Sequence, residues 1–419
     1  MDYDAHGRRW HFTDARTGTT TYAYNAADLL ASAITPPPAP GLAPQTTTTY
    51  YDTMLRVTNI VHADNTSTFS DYHLTGELKK TWGSRSYPVA YAYDHAGRIK
   101  TMTTWQDYAS GSGAATTTWD YHEDSGLLRQ KQYEGNNIGP TYDYTDAGRL
   151  SSRLGARGLY TTYGYTMAGE LETVIYYDGL TPNVTNSYDR LGRLVGVEQG
   201  VTGGATISTA AFTWNDVGNL LSESHTGGLL AGLTVTNDYD ALVRRTNVAL
   251  LNPQSATLAA TTYEYDAVSG RLETVSDGTH SAGFSYLANS PLVEQIQFKE
   301  NTATRMTATK SYDLLNRLTR MASAPSGSAL VSFDYTYNDA GQRQRVTLSD
   351  GSYWVYAYDS LGQVTSGKKF WPDGTPVAGQ QFEYGFDDIG NRQQTKAGGD
   401  ANGANLRQAS YSPDRKSVV

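Results

Sequence analysis

Two sets of residues in this 419-residue sequence have the chemistry to act as a site. Eight histidines stand at positions 6, 11, 62, 73, 95, 122, 225 and 280, and 42 Asp and Glu are spread along the chain. Acid–base or metal chemistry needs such groups at fixed spacing, and no H-E-x-x-H, G-x-S-x-G or phosphate-loop string is present. Carboxylates are numerous enough for folding to bring a glycosidase-like pair together, but nothing in their spacing favours one, so no enzyme is expected. The chain has no cysteine, which removes disulfides, thiolate catalysis and cysteine zinc sites. With a net charge of −9 it advertises no phosphate-binding surface, and nucleic acid is not an expected partner.

Acidic residues recur in one phrase: YDHAGRIK at 93–100, YDRLGRLV at 188–195 and YDSLGQVT at 358–365. Its Asp-x-x-Gly could be read as a calcium loop, but that needs several oxygen ligands at set spacing and one Asp per copy falls short. The structural reading assigns each slot a mechanical task. Asp94, Asp189 and Asp359 bond the backbone two residues on, while Gly97, Gly192 and Gly362 supply the positive φ that closes a tight turn. Arg98 and Arg193 then pair with the Asp of their own or a neighbouring turn, which for exposed groups is worth only about 0–1 kcal/mol.

Aligned on the aromatic before the Asp, the phrase recurs seventeen times, from Tyr3 through Tyr93, Tyr188 and Tyr358 to Phe386, at intervals of 21 to 28 residues. A catalytic motif needs one copy; seventeen describe architecture. YAYD at 91–94 and 356–359 and YEYD at 263–266 put rings two apart, on one face of an extended chain. Thr-rich runs such as RIKTMTTW follow the turns, and no segment carries a 3.6-residue apolar period. The expected fold is therefore all-β, built of tandem hairpins, with the tyrosine rings packing on one another between hairpins. The segment ITPPPAPGLAP at 34–44 lacks ladder donors and must lie outside the sheet; SGSGAA at 110–115 and QGVTGGA at 199–205 are similar punctuation.

Leu, Ile, Val and Phe total 73 residues, few enough to suggest disorder, but 32 tyrosines and 7 tryptophans each bury roughly 150–250 Å² and offset that deficit. Two tryptophans off the repeat, Trp105 and Trp371, are expected to be exposed and are the candidates for stacking on a glycan. Asn65 and Asn183 head glycosylation sequons, relevant only to a secreted eukaryotic chain. No run of about 18 apolar residues is present, and the first dozen residues do not read as a signal peptide.

Y-D-x-x-G-R-L at intervals near two dozen resembles the Rhs or YD-repeat family, which includes bacterial Rhs polymorphic toxins, the shell-forming C component of insecticidal toxin complexes and the teneurin extracellular region. The resemblance covers about residues 1–411. It implies one long antiparallel sheet spiralled into a hollow shell that encloses a toxic C-terminal polypeptide until delivery, without catalysis or cofactor. It further implies a bacterial, secreted or cell-surface setting, with secretion or shell-capping proteins as further partners. Geometry agrees: about 34 strands at roughly 4.8 Å would make a single ring about 50 Å across, too wide for side chains to fill. The alternative is a cell-surface adhesion or carbohydrate-binding module, as in teneurin-like proteins. The family's autoproteolytic core signature and variable toxin domain are not found. Residues 412–419 break the phrase after Tyr411; DRKSVV at 414–419 matches the translation of a common sequencing adapter and is expected to be an assembly artefact, with the array truncated at both ends.

Overall fold

A computed structural model describes residues 1–201 and 205–411. The tail from 412 and part of the 199–205 punctuation lie outside the described residues. Among those described, thirty-five β-strands belong to one sheet, numbered here in chain order from β1 (Asp2–Tyr3) to β35 (Leu406–Ser410). Two single 3₁₀ turns, Glu134–Asn136 and Gly228–Leu230, are the helical elements among them. The all-β expectation holds.

The chain rule is simple. Every odd-numbered strand up to β33 (Pro376–Phe386) ends on one of the seventeen aromatic anchors, a repeat turn follows, and the even-numbered strand returns antiparallel. A link of variable length then leads to the next odd strand, so turns lie at one end of the strands and links at the other. β9 (Val89–Tyr93) and β10 (Ile99–Thr104) show the register: Tyr93 faces Ile99, then Ala92 faces Thr101, so the ladder slips by one residue beside the anchor. The same slip occurs beside Tyr188 and Tyr358. This is a type I turn closed by a left-handed residue and a bulge, the usual way a three-residue hairpin loop matches strand twist.

By contact the chain divides into two units. Unit 1 comprises Met1–Thr116, Ser285–Gln297 and the described residues from Arg305 onward; unit 2 comprises Thr117–Phe284 and Phe298–Thr304. In both, the sheet has few deeply buried side chains. Among the described residues, the buried apolar side chains are small ones: Ala249, Ala308, Ala322, Val346 and the prolines Pro38, Pro88 and Pro140. Most strand residues are half-buried on both faces. Cohesion therefore comes from strand ladders, cross-strand pairs such as Phe69 stacked on Trp82 at 5.5 Å, and the turns themselves.

Candidate functional site

The repeat turn is the unit from which any site must be built. In the copy at 93–98, the Asp94 N–H donates to the Arg98 carbonyl at 2.9 Å, and the Gly97 N–H to the Asp94 carbonyl at 3.0 Å. Asp94 Oδ1 accepts from the N–H groups of Ala96 and Arg98, and its Oδ2 accepts from Arg98 Nε at 2.7 Å. Asp189 makes the same set with Leu191 and Arg193. Asp359 does so with Leu361 and Gln363, whose amide takes the place of the guanidinium. The Arg98 guanidinium and the turn N–H groups hold the Asp94 carboxyl below its ordinary value; for Asp189 the Arg193 N–H is the largest cause. The turn thus consumes its carboxylate internally, and one carboxylate falls well short of the roughly six to eight oxygen ligands that calcium takes. Among the described residues no group of three or more His, Asp or Glu could hold a metal.

Gly97, Gly192 and Gly362 have φ of 76°, 74° and 86°. Four copies put another residue in this left-handed slot: Asp28, Leu55, Val243 and Asn316, at φ 62° to 66°. For Asn and Asp that is tolerable; for Val243 it is strain that the surrounding turn must hold.

The anchors do something the residue pattern does not announce. The Tyr93 hydroxyl donates to the Leu78 carbonyl at 3.0 Å, Tyr188 to Leu171 at 2.7 Å and Tyr358 to Arg343 at 2.7 Å. Trp214 keeps the scheme through its indole N–H to the Leu194 carbonyl at 2.8 Å. Each acceptor is at or beside the start of the preceding even-numbered strand, so the polar tip of every such ring ties one hairpin to the one before it. The ring faces are also used differently from the expected tyrosine-on-tyrosine packing. The arginine of one turn lies over the anchor of the next, Arg56 over Tyr72 and Arg317 over Tyr337, at 4.7 and 4.8 Å. Where His replaces Asp in the turn it fills the same gap: His73 meets Tyr93, and His122 meets Tyr144, edge-on at 5.8 and 5.9 Å. Arg193 also donates to the Asn215 carbonyl of the next turn at 2.7 Å.

Within unit 1 the links of early hairpins meet the turns of late ones. The link between β4 (Leu30–Thr35) and β5 (Gln45–Tyr51) brings the Pro38 carbonyl to the Leu314 N–H at 2.9 Å, in the turn between β27 (Ala303–Tyr312) and β28 (Leu318–Pro325). Arg16, from an earlier link, donates to the Asp313 carbonyl at 2.9 Å and to the Asn316 side chain of that turn. The link between β8 (Leu78–Gly83) and β9 presents the Arg85 N–H to the Ser360 carbonyl at 2.9 Å, between β31 (Tyr353–Tyr358) and β32 (Val364–Phe370). The link between β10 and β11 (Ala115–Tyr121) gives the Gln106 carbonyl to the Asp388 N–H at 2.9 Å, and Asp388 Oδ2 accepts from the Tyr108 N–H at 2.7 Å. Asp388 lies between β33 and β34 (Arg392–Gly398). The three backbone ties, at Leu314, Ser360 and Asp388, are each displaced by 23 strands and use the residue two past the anchor, while the Arg16 side chain, one hairpin earlier, reaches across 25.

Side chains register the seam as well. Three past the anchor sits an apolar residue, half-buried at Leu315, Leu361 and Ile389 where links dock. In five other turns it is bare: Met54 57%, Leu191 74%, Val217 71%, Leu242 71% and Val268 96% exposed. The Pro-rich 34–44 segment is thus more than punctuation, since Pro38 is buried in the seam. Trp105 corrects an expectation. It is half-buried, edge-on to Tyr108 at 5.3 Å, because it starts the link that docks on residue 388. Trp371, in a link, is 47% exposed. Arg16, Pro38, Arg85 and Gln106 carry no repeat signal; a leucine or isoleucine at a turn tip, where polar residues belong, is the available clue.

Residues 337–368 match the family described as RHS Repeat. The crystal structure of TcdB2-TccC3-TEV resembles the chain at a TM-score of 0.50 and 14% identity, over 94% of this chain and 24% of that one. The Photorhabdus luminescens Tc holotoxin pore gives a TM-score of 0.48 at 15% identity, over 94% and 22%. At such identity the likeness is one of fold, and the chain spans about a quarter of the solved chains it matches. No curated protein matches it. One copy matches outright, and the same anchor and left-handed turn recur from Tyr3 to Phe386, so the chain is built of units similar to the RHS, or YD, repeat.

Proposed function

We propose that this chain is a segment of a hollow enclosing wall whose task, in a longer polypeptide, is to surround and carry a C-terminal toxin or effector. The observation that carries the reading is the seam: three backbone ties between links and turns share a displacement of 23 strands, about 110 Å of ribbon at the usual strand spacing. A wall needs its courses tied, and these ties close the strand ends that would otherwise lie open to solvent. Strand residues half-buried on both faces fit a single layer with two wet faces better than a packed core does. No step of this role needs a catalytic group or a cofactor from the wall itself.

The setting that goes with the role is bacterial and extracellular. The test is protease protection in the full-length product of the parent gene. The downstream polypeptide is expected to resist digestion in the intact protein and to become cleavable when Leu361→Asp opens the seam. A downstream segment digested as fast as the free polypeptide would overturn the reading. Specific capture of one glycan class, lost in Trp371→Ala, would favour the adhesin alternative.

A further inference from the structure

The seam has a receiving side and a delivering side, and unit 2 carries exposed apolar residues at both. Its turn tips hold Leu191, Val217, Leu242 and Val268, bare at the slot that is half-buried in the docked turns of unit 1. At the opposite strand ends its links hold Leu180 and Leu229, 88% and 104% exposed. Isolated apolar residues on a surface are ordinary, but a row repeated at one slot, matching a slot already used for docking, marks a contact surface.

We infer that the turn row of unit 2 takes the link edge of a second copy of this chain. The occupant follows from continuity with the seam, where the same slot and the same backbone position are closed by links of this very sequence. The contact is heterologous, turn edge to link edge, so each added copy offers a fresh edge and growth is open-ended. The inference rests on the seam geometry and not on the enclosing role.

Sedimentation velocity of the 419-residue chain from about 1 to 100 µM tests it, a range that brackets ordinary weak self-association. The sedimentation coefficient is expected to rise with concentration. The triple variant Leu191→Asp, Val217→Asp, Leu242→Asp is expected to stay monomeric with an unchanged far-ultraviolet spectrum. Added to wild type in small amounts, it should shorten the assemblies, because it keeps its link edge. Should the triple variant fail to fold, Leu180→Asp with Leu229→Asp removes the other edge and makes the same prediction. Mixing the two variants should restore pairs that neither forms alone. A wild-type monomer at the highest concentration, undiminished assembly of the variants, no pairing on mixing, or binding of the row to phosphatidylcholine vesicles instead would each overturn the inference.

Discussion

Val243 and Leu55 hold a backbone conformation that L side chains resist, with φ of 66° at the slot most copies give to glycine. The left-handed penalty of about 1–2 kcal/mol exceeds the roughly 0.5–1 kcal/mol of extra freedom glycine loses on folding. Val243→Gly is therefore expected to stabilise the chain, by up to about 1 kcal/mol, read as a higher unfolding midpoint in urea. The turn carboxylates set an acid limit. Asp4, Asp52 and Asp94 sit below their ordinary value of 3.8, chiefly through the arginine four residues on, and Asp277 is drawn down to about 2 by the His280 N–H. A carboxyl lowered in the folded state adds stability above its unfolded value and loses it as pH falls through the folded one. Melting temperature should accordingly be insensitive to these groups from pH 7 to about 5 and fall between about 4 and 2. A decline beginning at pH 6 would point to histidines instead.

At the scale of the hairpin, the anchor hydroxyls matter more than their rings' apolar area suggests. Tyr188→Phe leaves the Leu171 carbonyl without that donor, although Asn186 also reaches it. Tyr93→Phe leaves the Leu78 carbonyl without its hydroxyl donor. Losing such a bond costs about 0.5–1.5 kcal/mol, and Tyr93→Phe should cost the more of the two, which thermal unfolding of both variants would check. The strands, the turn and its Asp and Gly slots were legible because each depends on neighbours within a few residues, where parity and turn chemistry act. The use of the rings was not. Parity puts Tyr91 and Tyr93 on one face, but whether the next partner is a ring, a guanidinium or a carbonyl depends on the slip in register beside the anchor, and no single strand records that slip.

For the whole molecule the seam decides what holds. Its partners lie nearly 300 residues apart, as Arg16 and Asp313 do, so no local pattern could reveal them. Ile389→Asp should place a charge where a link docks and free residues 105–114, which limited proteolysis would detect as a new cleavage there while the hairpins stay intact. Gly390 is a second sensitive point, since a Cβ there would stand 3.0 Å from the Tyr87 hydroxyl.

The displacement of 23 strands has a corollary for how such a chain can vary. Spacing between anchors wanders from 21 to 28 residues, yet the ties keep step, because lengthening a link leaves the tally of strands untouched. Deleting one whole hairpin between Pro38 and Leu314 would instead slide every later partner out of phase together. Evolution of this ribbon is thus free in its loops and quantised in its hairpins.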